Sequence, residues 1–148
     1  MNKSFSKIWE AFTRSHSEDK STTKGHKILI VDDDPAILET LGAKLTASGY
    51  TVLKASNGLE AVKIARQELP HLIILDLLMP ILGGAGAVIK LKEDKNTRSI
   101  PIFFLTGVDM DHDDLKQEEI GVDVIFHKPF SFKELMEKIQ EVLDKNSV

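Results

Sequence analysis

Five short apolar runs, spaced by amphipathic segments, constrain this chain more than any other feature. They read KILIV (27–31), YTVLKA (50–55), HLIILD (71–76), IPIFFLT (100–106) and VDVIFH (122–127). The first, third and fourth are almost continuous in Ile, Leu, Val and Phe, the pattern of strands buried on both faces. The stretches between them read as helices. After DDDP, Asp34 is placed to cap and Pro35 sits in the first turn. Ile37, Leu38, Leu41 and Leu45 then form one apolar stripe, and Gly49 closes the helix. NGLEAVKIARQ (57–67) and GAVIKLKED (86–94) are two further helices, and a weakly specified one is expected near 112–119. The last helix is the best marked. Ser131 and Glu134 fit a capping box, Phe130 and Leu135 a hydrophobic staple, and Leu135, Ile139 and Val142 the buried stripe. Strands joined by helices pair in parallel with right-handed crossovers. The expected fold is therefore α/β, a doubly wound five-stranded parallel sheet of order 2-1-3-4-5.

Composition removes several classes of function. Hydrophobic residues make up 42% and charged residues 28%, a globular balance. A net charge of −4 gives no electrostatic footprint for nucleic acid. With no cysteine, disulfides, thiolate chemistry and zinc–sulfur sites are excluded. No apolar run is long enough to span a bilayer, and no signal-peptide core opens the chain, so a cytoplasmic location is expected. Residues 1–26 read as a flexible extension ahead of one folded unit, 27–148. TRSHSEDKSTTKGHK (13–27) is linker-like, while Phe5, Ile8, Trp9 and Phe12 share one face of a short helix. That face is compatible with a tail, a docking helix or a membrane-surface segment.

Polar residues fall where the strands end. The first run leads into Asp32, Asp33 and Asp34, the third ends in Asp76, the fourth in Thr106, and the fifth runs up to Lys128. In a parallel sheet all these ends share one edge, and strands 1 and 3 flank the reversal of strand order where such sheets open a crevice. Carboxylates gathered there repel one another, which a cation would offset. Hard oxygen donors favour Mg2+ or Mn2+. DDDP is not a dinucleotide-binding turn, and DMDHDD (109–114) fails as a calcium loop because its sixth and twelfth positions are Asp114 and Ile120. The group that best fits Mg2+, a hydroxyl, a lysine and a carboxylate together is a phosphoryl group carried on Asp76, with the carboxylate as nucleophile. Lys128 and the metal would neutralise its oxygens, and Thr106 would donate to one of them.

ILIVDDDP, IILDLLMP followed by Gly84, PIFFLTG and HKPF, in that order and spacing, resemble the CheY-like receiver domain of response regulators in two-component signalling. The resemblance covers about Lys27 to Leu143. It implies that Asp33 binds Mg2+ directly and Asp32 largely through water, with the backbone carbonyl of Leu78 as a further ligand. It also implies that Asp76 is the phospho-acceptor, Thr106 the switch hydroxyl and Lys128 the phosphate-binding lysine. One departure stands out. The family's rotating aromatic, three residues before the lysine, is Ile125 here, which has no ring to rotate. Strand alternation sends the neighbouring Phe126 to the opposite face.

The resemblance also implies the partners: a sensor histidine kinase or histidine phosphotransfer protein as donor, and a downstream protein target whose docking face changes. No nucleic-acid contact, integral membrane segment or conventional metabolic activity is expected. A receiver acting without an attached effector is the first expectation; the receiver portion of a longer regulator, or an unphosphorylated interaction module, are the alternatives. In this family the residues two beyond the phospho-acceptor and two beyond the switch hydroxyl affect how fast water removes the phosphate. Here they are Leu78 and Val108, and neither can orient a water by hydrogen bonding. The phosphorylated form is therefore predicted to hydrolyse itself slowly; a half-life of seconds, followed by loss of the phosphorylated mass, would contradict this.

Overall fold

The computed structural model describes residues 25–76, 83–107, 122–127 and 129–146. In chain order these form β1 (Lys27–Val31), α1 (Pro35–Ala47), β2 (Thr51–Ala55), α2 (Gly58–Glu68), β3 (Leu72–Asp76), α3 (Gly84–Glu93), β4 (Ile102–Thr106), β5 (Val124–His127) and α4 (Phe132–Asn146). The strands make one sheet of order β2-β1-β3-β4-β5, and every neighbouring pair is parallel. This is the doubly wound architecture expected from the apolar runs. The segments expected at 1–24 and near 112–119 lie outside the described residues.

Alternation along each strand splits the core into two layers. Leu29, Val31, Ile73, Leu75, Ile102 and Phe104 pack with Ala61, Val62 and Ala65 of α2 and Ala87, Val88 and Leu91 of α3. Ile28, Ile30, Leu72, Ile74, Phe103 and Leu105 pack on the other face with Leu41 and Leu45 of α1 and Leu135, Ile139 and Leu143 of α4. Because β1, β3 and β4 have helices on both faces, every second position had to be apolar as well, which is why those runs are continuous. β2 borders only β1, and its Thr51 and Lys54 are exposed. In β5, Ile125 packs against the α2–α3 layer and Phe126 against the α1–α4 layer, the opposite faces that alternation requires.

Helix ends follow local chemistry. The Asp34 carboxylate accepts the Ala36 N–H at 2.9 Å, and Gly49 turns the chain out of α1 at φ 100°. Asn57 caps α2 by accepting the Glu60 N–H at 2.8 Å. At the other end of α2, Leu69 adopts a left-handed conformation at φ 47°, unusual for a side chain with a Cβ, and its N–H reaches the Ala65 carbonyl. Pro70 follows and prevents the helix from continuing. Ser131 Oγ accepts the Glu134 N–H at 3.3 Å, one half of the expected capping box.

Two differences from the sequence reading have a clear physical cause. α3 begins at Gly84 rather than residue 86, with Gly83 as an N-cap that makes no side-chain bond. Poor helix formers are held there because Ala87, Val88 and Leu91 are fully buried beneath the sheet face. In α4 the buried stripe is Leu135, Ile139 and Leu143, a straight i, i+4, i+8 row, whereas Val142 is only half-buried. Phe104→Ala should cost about 3–5 kcal/mol by emptying a fully buried ring site. Asp34→Ala should cost about 1 kcal/mol by removing a cap. Urea unfolding followed by circular dichroism measures both.

Candidate functional site

Register builds the site. Val31 of β1 pairs with Leu75 of β3, so the next residues, Asp32 and Asp76, leave the sheet edge side by side. Asp33 follows Asp32 into the turn. One carboxylate oxygen from each of Asp32, Asp33 and Asp76 lies within 4.8 Å of the others. The three differ in exposure: Asp32 is 4% exposed, Asp76 half-buried and Asp33 exposed. The strand-end carboxylates expected to converge therefore do so.

Asp32 is held by its own turn. Its N–H donates to the Ala55 carbonyl at 3.2 Å, continuing the β1–β2 ladder by one residue. Its Oδ1 accepts the Asp34 N–H at 2.9 Å. Asp34 in turn caps α1, so the turn and the helix start lock each other. The positive end of the α1 dipole lies beside this acidic edge and lowers the cost of gathering negative charge there. The sequence places Asp34 both at the cap and among the acidic strand ends; the structure keeps it at the cap, outside the group of three carboxylates. The i, i+2 spacing of Asp32 and Asp34 is that of an Asx-turn, and that signal could have revealed the second bond.

Thr106 ends β4 one residue beyond Leu105, which is in register with Asp76, and it is almost completely buried. Thr106 is also paired in register with His127 of β5. Lys128 is the next residue in the chain; it and Leu78 lie outside the described residues. The donors of the cluster are all carboxylate oxygens. Such a set suits a hard, oxygen-seeking cation rather than a soft one, so the edge has the make-up of a metal-binding site. Three acidic oxygens at the mouth of a sheet, with one half-exposed carboxylate on the central strand, also offer a nucleophile for group transfer.

The sequence profile of the response regulator receiver domain matches residues 28–140. Among curated relatives, a probable transcriptional regulator ycf27 of Porphyra purpurea is 44% identical over 117 residues, 79% of this chain and 47% of that protein. Protein PilH of Pseudomonas aeruginosa is 38% identical over 117 residues, 79% of this chain and 97% of that protein. The chain thus spans about half the length of most of the relatives it matches first, and nearly all of PilH. A solved receiver domain of the Pseudomonas aeruginosa sensor histidine kinase PA1611, with a magnesium ion coordinated in its active-site cleft, superposes with TM-score 0.74. It is 29% identical and covers 81% of this chain and 98% of its own. With the five-stranded order and the acidic triad already in place, these matches show that the chain belongs to the response regulator receiver family.

Proposed function

We propose that this receiver accepts a phosphoryl group on Asp76 from a phosphohistidine of a partner protein, and that the acyl phosphate switches a protein-binding face. The observation that carries the reading is the convergence of the Asp32, Asp33 and Asp76 carboxylates within 4.8 Å at the carboxyl edge of the sheet. An oxygen of Asp76 attacks phosphorus, the new O–P bond forms as the P–N bond of the donor breaks, and the imidazole leaves with that electron pair. Asp76 suits the role because it ends a central strand buried up to Leu75 yet is itself only half-buried. Its backbone cannot drift, so its carboxylate meets the donor without first paying an ordering entropy.

Asp32, Asp33 and Asp76, with the backbone carbonyl of Leu78, would hold the divalent ion, Mg2+ or Mn2+. The bound ion supplies charge neutralisation on the transferring phosphoryl oxygens. Lys128 follows His127 directly and neutralises a further oxygen, while the Thr106 hydroxyl donates to one once the phosphate is in place. A sensor histidine kinase or a histidine phosphotransfer protein is the donor class. The relatives of double length and PilH suggest two settings for one switch, within a longer regulator or alone.

Incubation with acetyl phosphate and Mg2+ should add one phosphoryl group by intact mass. Asp76→Asn should gain none, and Lys128→Ala should gain it at least tenfold more slowly; an unchanged gain in Asp76→Asn overturns the assignment. The metal arm is separate. Because Asp33 itself is exposed, water screens its repulsion with a carboxylate about 5 Å away to about 1 kcal/mol. Asp33→Asn should therefore be more stable than the parent by about that much in chelator. Saturating Mg2+ should raise the melting temperature of the parent and reverse the order, as binding to the folded state alone requires.

A further inference from the structure

We propose that His71 is a proton-operated clamp at the amino-terminal edge of the sheet. When neutral it locks the first residue of β1 to β3 and α2, and on protonation it releases that corner. The edge lies opposite the acidic triad, so the clamp is independent of the phosphoryl reading.

The bonds are reciprocal. The His71 N–H donates to the Lys27 carbonyl at 2.8 Å, and the Lys27 N–H donates to Nδ1 of the His71 ring at 2.9 Å. Lys27 thus turns both backbone groups toward β3, and the imidazole supplies an acceptor that the strand itself does not. The chain just before His71 cannot offer one in the usual way, because Leu69 is in the left-handed region and Pro70 follows. The Lys27 ammonium ties the same corner to α2, donating to the Glu68 carbonyl at 2.6 Å and lying 3.6 Å from the Glu68 carboxylate. From the neighbouring position, the His26 ring meets the His71 ring edge-on, with centroids 4.4 Å apart and planes at 87°. Nδ1 of His26 is buried and makes no hydrogen bond among the described residues.

An imidazolium carries a hydrogen on both nitrogens, so protonated His71 cannot accept the Lys27 N–H. It would also set a positive charge beside Lys27 and His26, while the Glu68 carboxylate is already engaged with Lys27. Burial, then His26, then the Lys27 ammonium hold the His71 pKa below its ordinary 6.5. The unfolded or opened form therefore binds the proton more readily than the closed form. The clamp's stability is complete above pH 6.5 and is lost as pH falls from there through the ring's own midpoint. What loosens is the start of β1, where residues 1–24 join the fold. A drop in pH is thereby converted into local opening at that junction, while the edge carrying Asp76 is untouched.

Two-dimensional NMR of the full chain tests this by following the His71 ring and the Lys27 amide exchange rate, corrected for intrinsic exchange, from about pH 8 to 5. The ring should titrate below 6.5 as the neutral Nε2–H form. Lys27 protection should fall by up to about tenfold per pH unit between 6.5 and that midpoint, then level off. His71→Asn keeps an acceptor oxygen but cannot titrate, so its Lys27 protection should stay flat over the same range. His26→Asn, which removes the neighbouring ring, should move the His71 midpoint upward. A His71 midpoint at or above 6.5, or Lys27 protection that ignores the titration in the parent, overturns the proposal. The parent measurements decide the matter even if His71→Asn does not fold.

Discussion

The pairing of β1 with β3 is the constraint on which the rest of this molecule depends. A shift of one residue in that register would send Asp76 to the face of the sheet opposite Asp32, because side chains alternate with period two. Yet the apolar pattern fixes this register only weakly, since Ile28 to Val31 and Leu72 to Leu75 are buried on both faces and would pack almost as well after a slip. The polar ends supply what the middle lacks. At one end Lys27 and His71 exchange two hydrogen bonds, and at the other Asp32 and Asp76 must reach the solvent edge. The strand is pinned at both ends by groups that cannot be moved inward without losing their partners.

The same geometry explains why the acidic edge is tolerated. Burying a charge is costly unless it is hydrogen-bonded or paired. Asp32 is the most enclosed of the three carboxylates, and it accepts the Asp34 N–H. Asp33 keeps its charge in water. Asp76 sits between these extremes, half-exposed at the end of a rigid strand, which is what a nucleophile needs. Gradation of exposure distinguishes the three carboxylates where residue type cannot, since all three are aspartates.

Much of this was legible in the chain. Continuous apolar runs with a polar terminus announced buried parallel strands, and the topology then gathered Asp32, Asp33, Asp76 and Thr106 without any coordinates. Roles for Asp76, Thr106 and Lys128 came from the motif resemblance joined to the chemistry of phosphoryl groups, not from periodicity. What escaped the sequence has a common physical origin. The α4 stripe ends in Leu143 instead of Val142: the i, i+4, i+8 row joins the buried layer, while its equally apolar neighbour stays half-buried. The start of α3 at Gly84 contradicts glycine's propensity because burial of Ala87, Val88 and Leu91 outweighs it. The Lys27–His71 clamp spans 44 positions, and no local pattern encodes which histidine meets which amide. Likewise the Asp123 carboxylate accepts the Ile102 N–H at 2.8 Å across the β4–β5 pair, a bond that looks like an ordinary loop aspartate in sequence.

The absence of an aromatic at position 125 changes how a displacement at the acidic edge can travel. Thr106 and His127 are in register, so any inward pull on the end of β4 acts on β5 through the ladder, one residue from Lys128. Ile125 receives that pull within the α2–α3 layer, where a branched side chain can only shift with its strand. On the other face Phe126 lies between Phe103 and Phe130, with ring centroids 5.9 and 6.2 Å away. Phe130 opens directly into α4, whose Phe132 carries the Lys44 ammonium of α1 over its ring at 4.7 Å. A translation of β5 therefore meets a chain of tilted rings leading to α4 and α1, and not a single ring that flips. Packed rings transmit small shifts because interiors are dense and leave little slack. Ile125 belongs to β5 and moves with it, so the ring contacts of Phe126 in the α1–α4 layer are the ones that a shift of β5 would disturb.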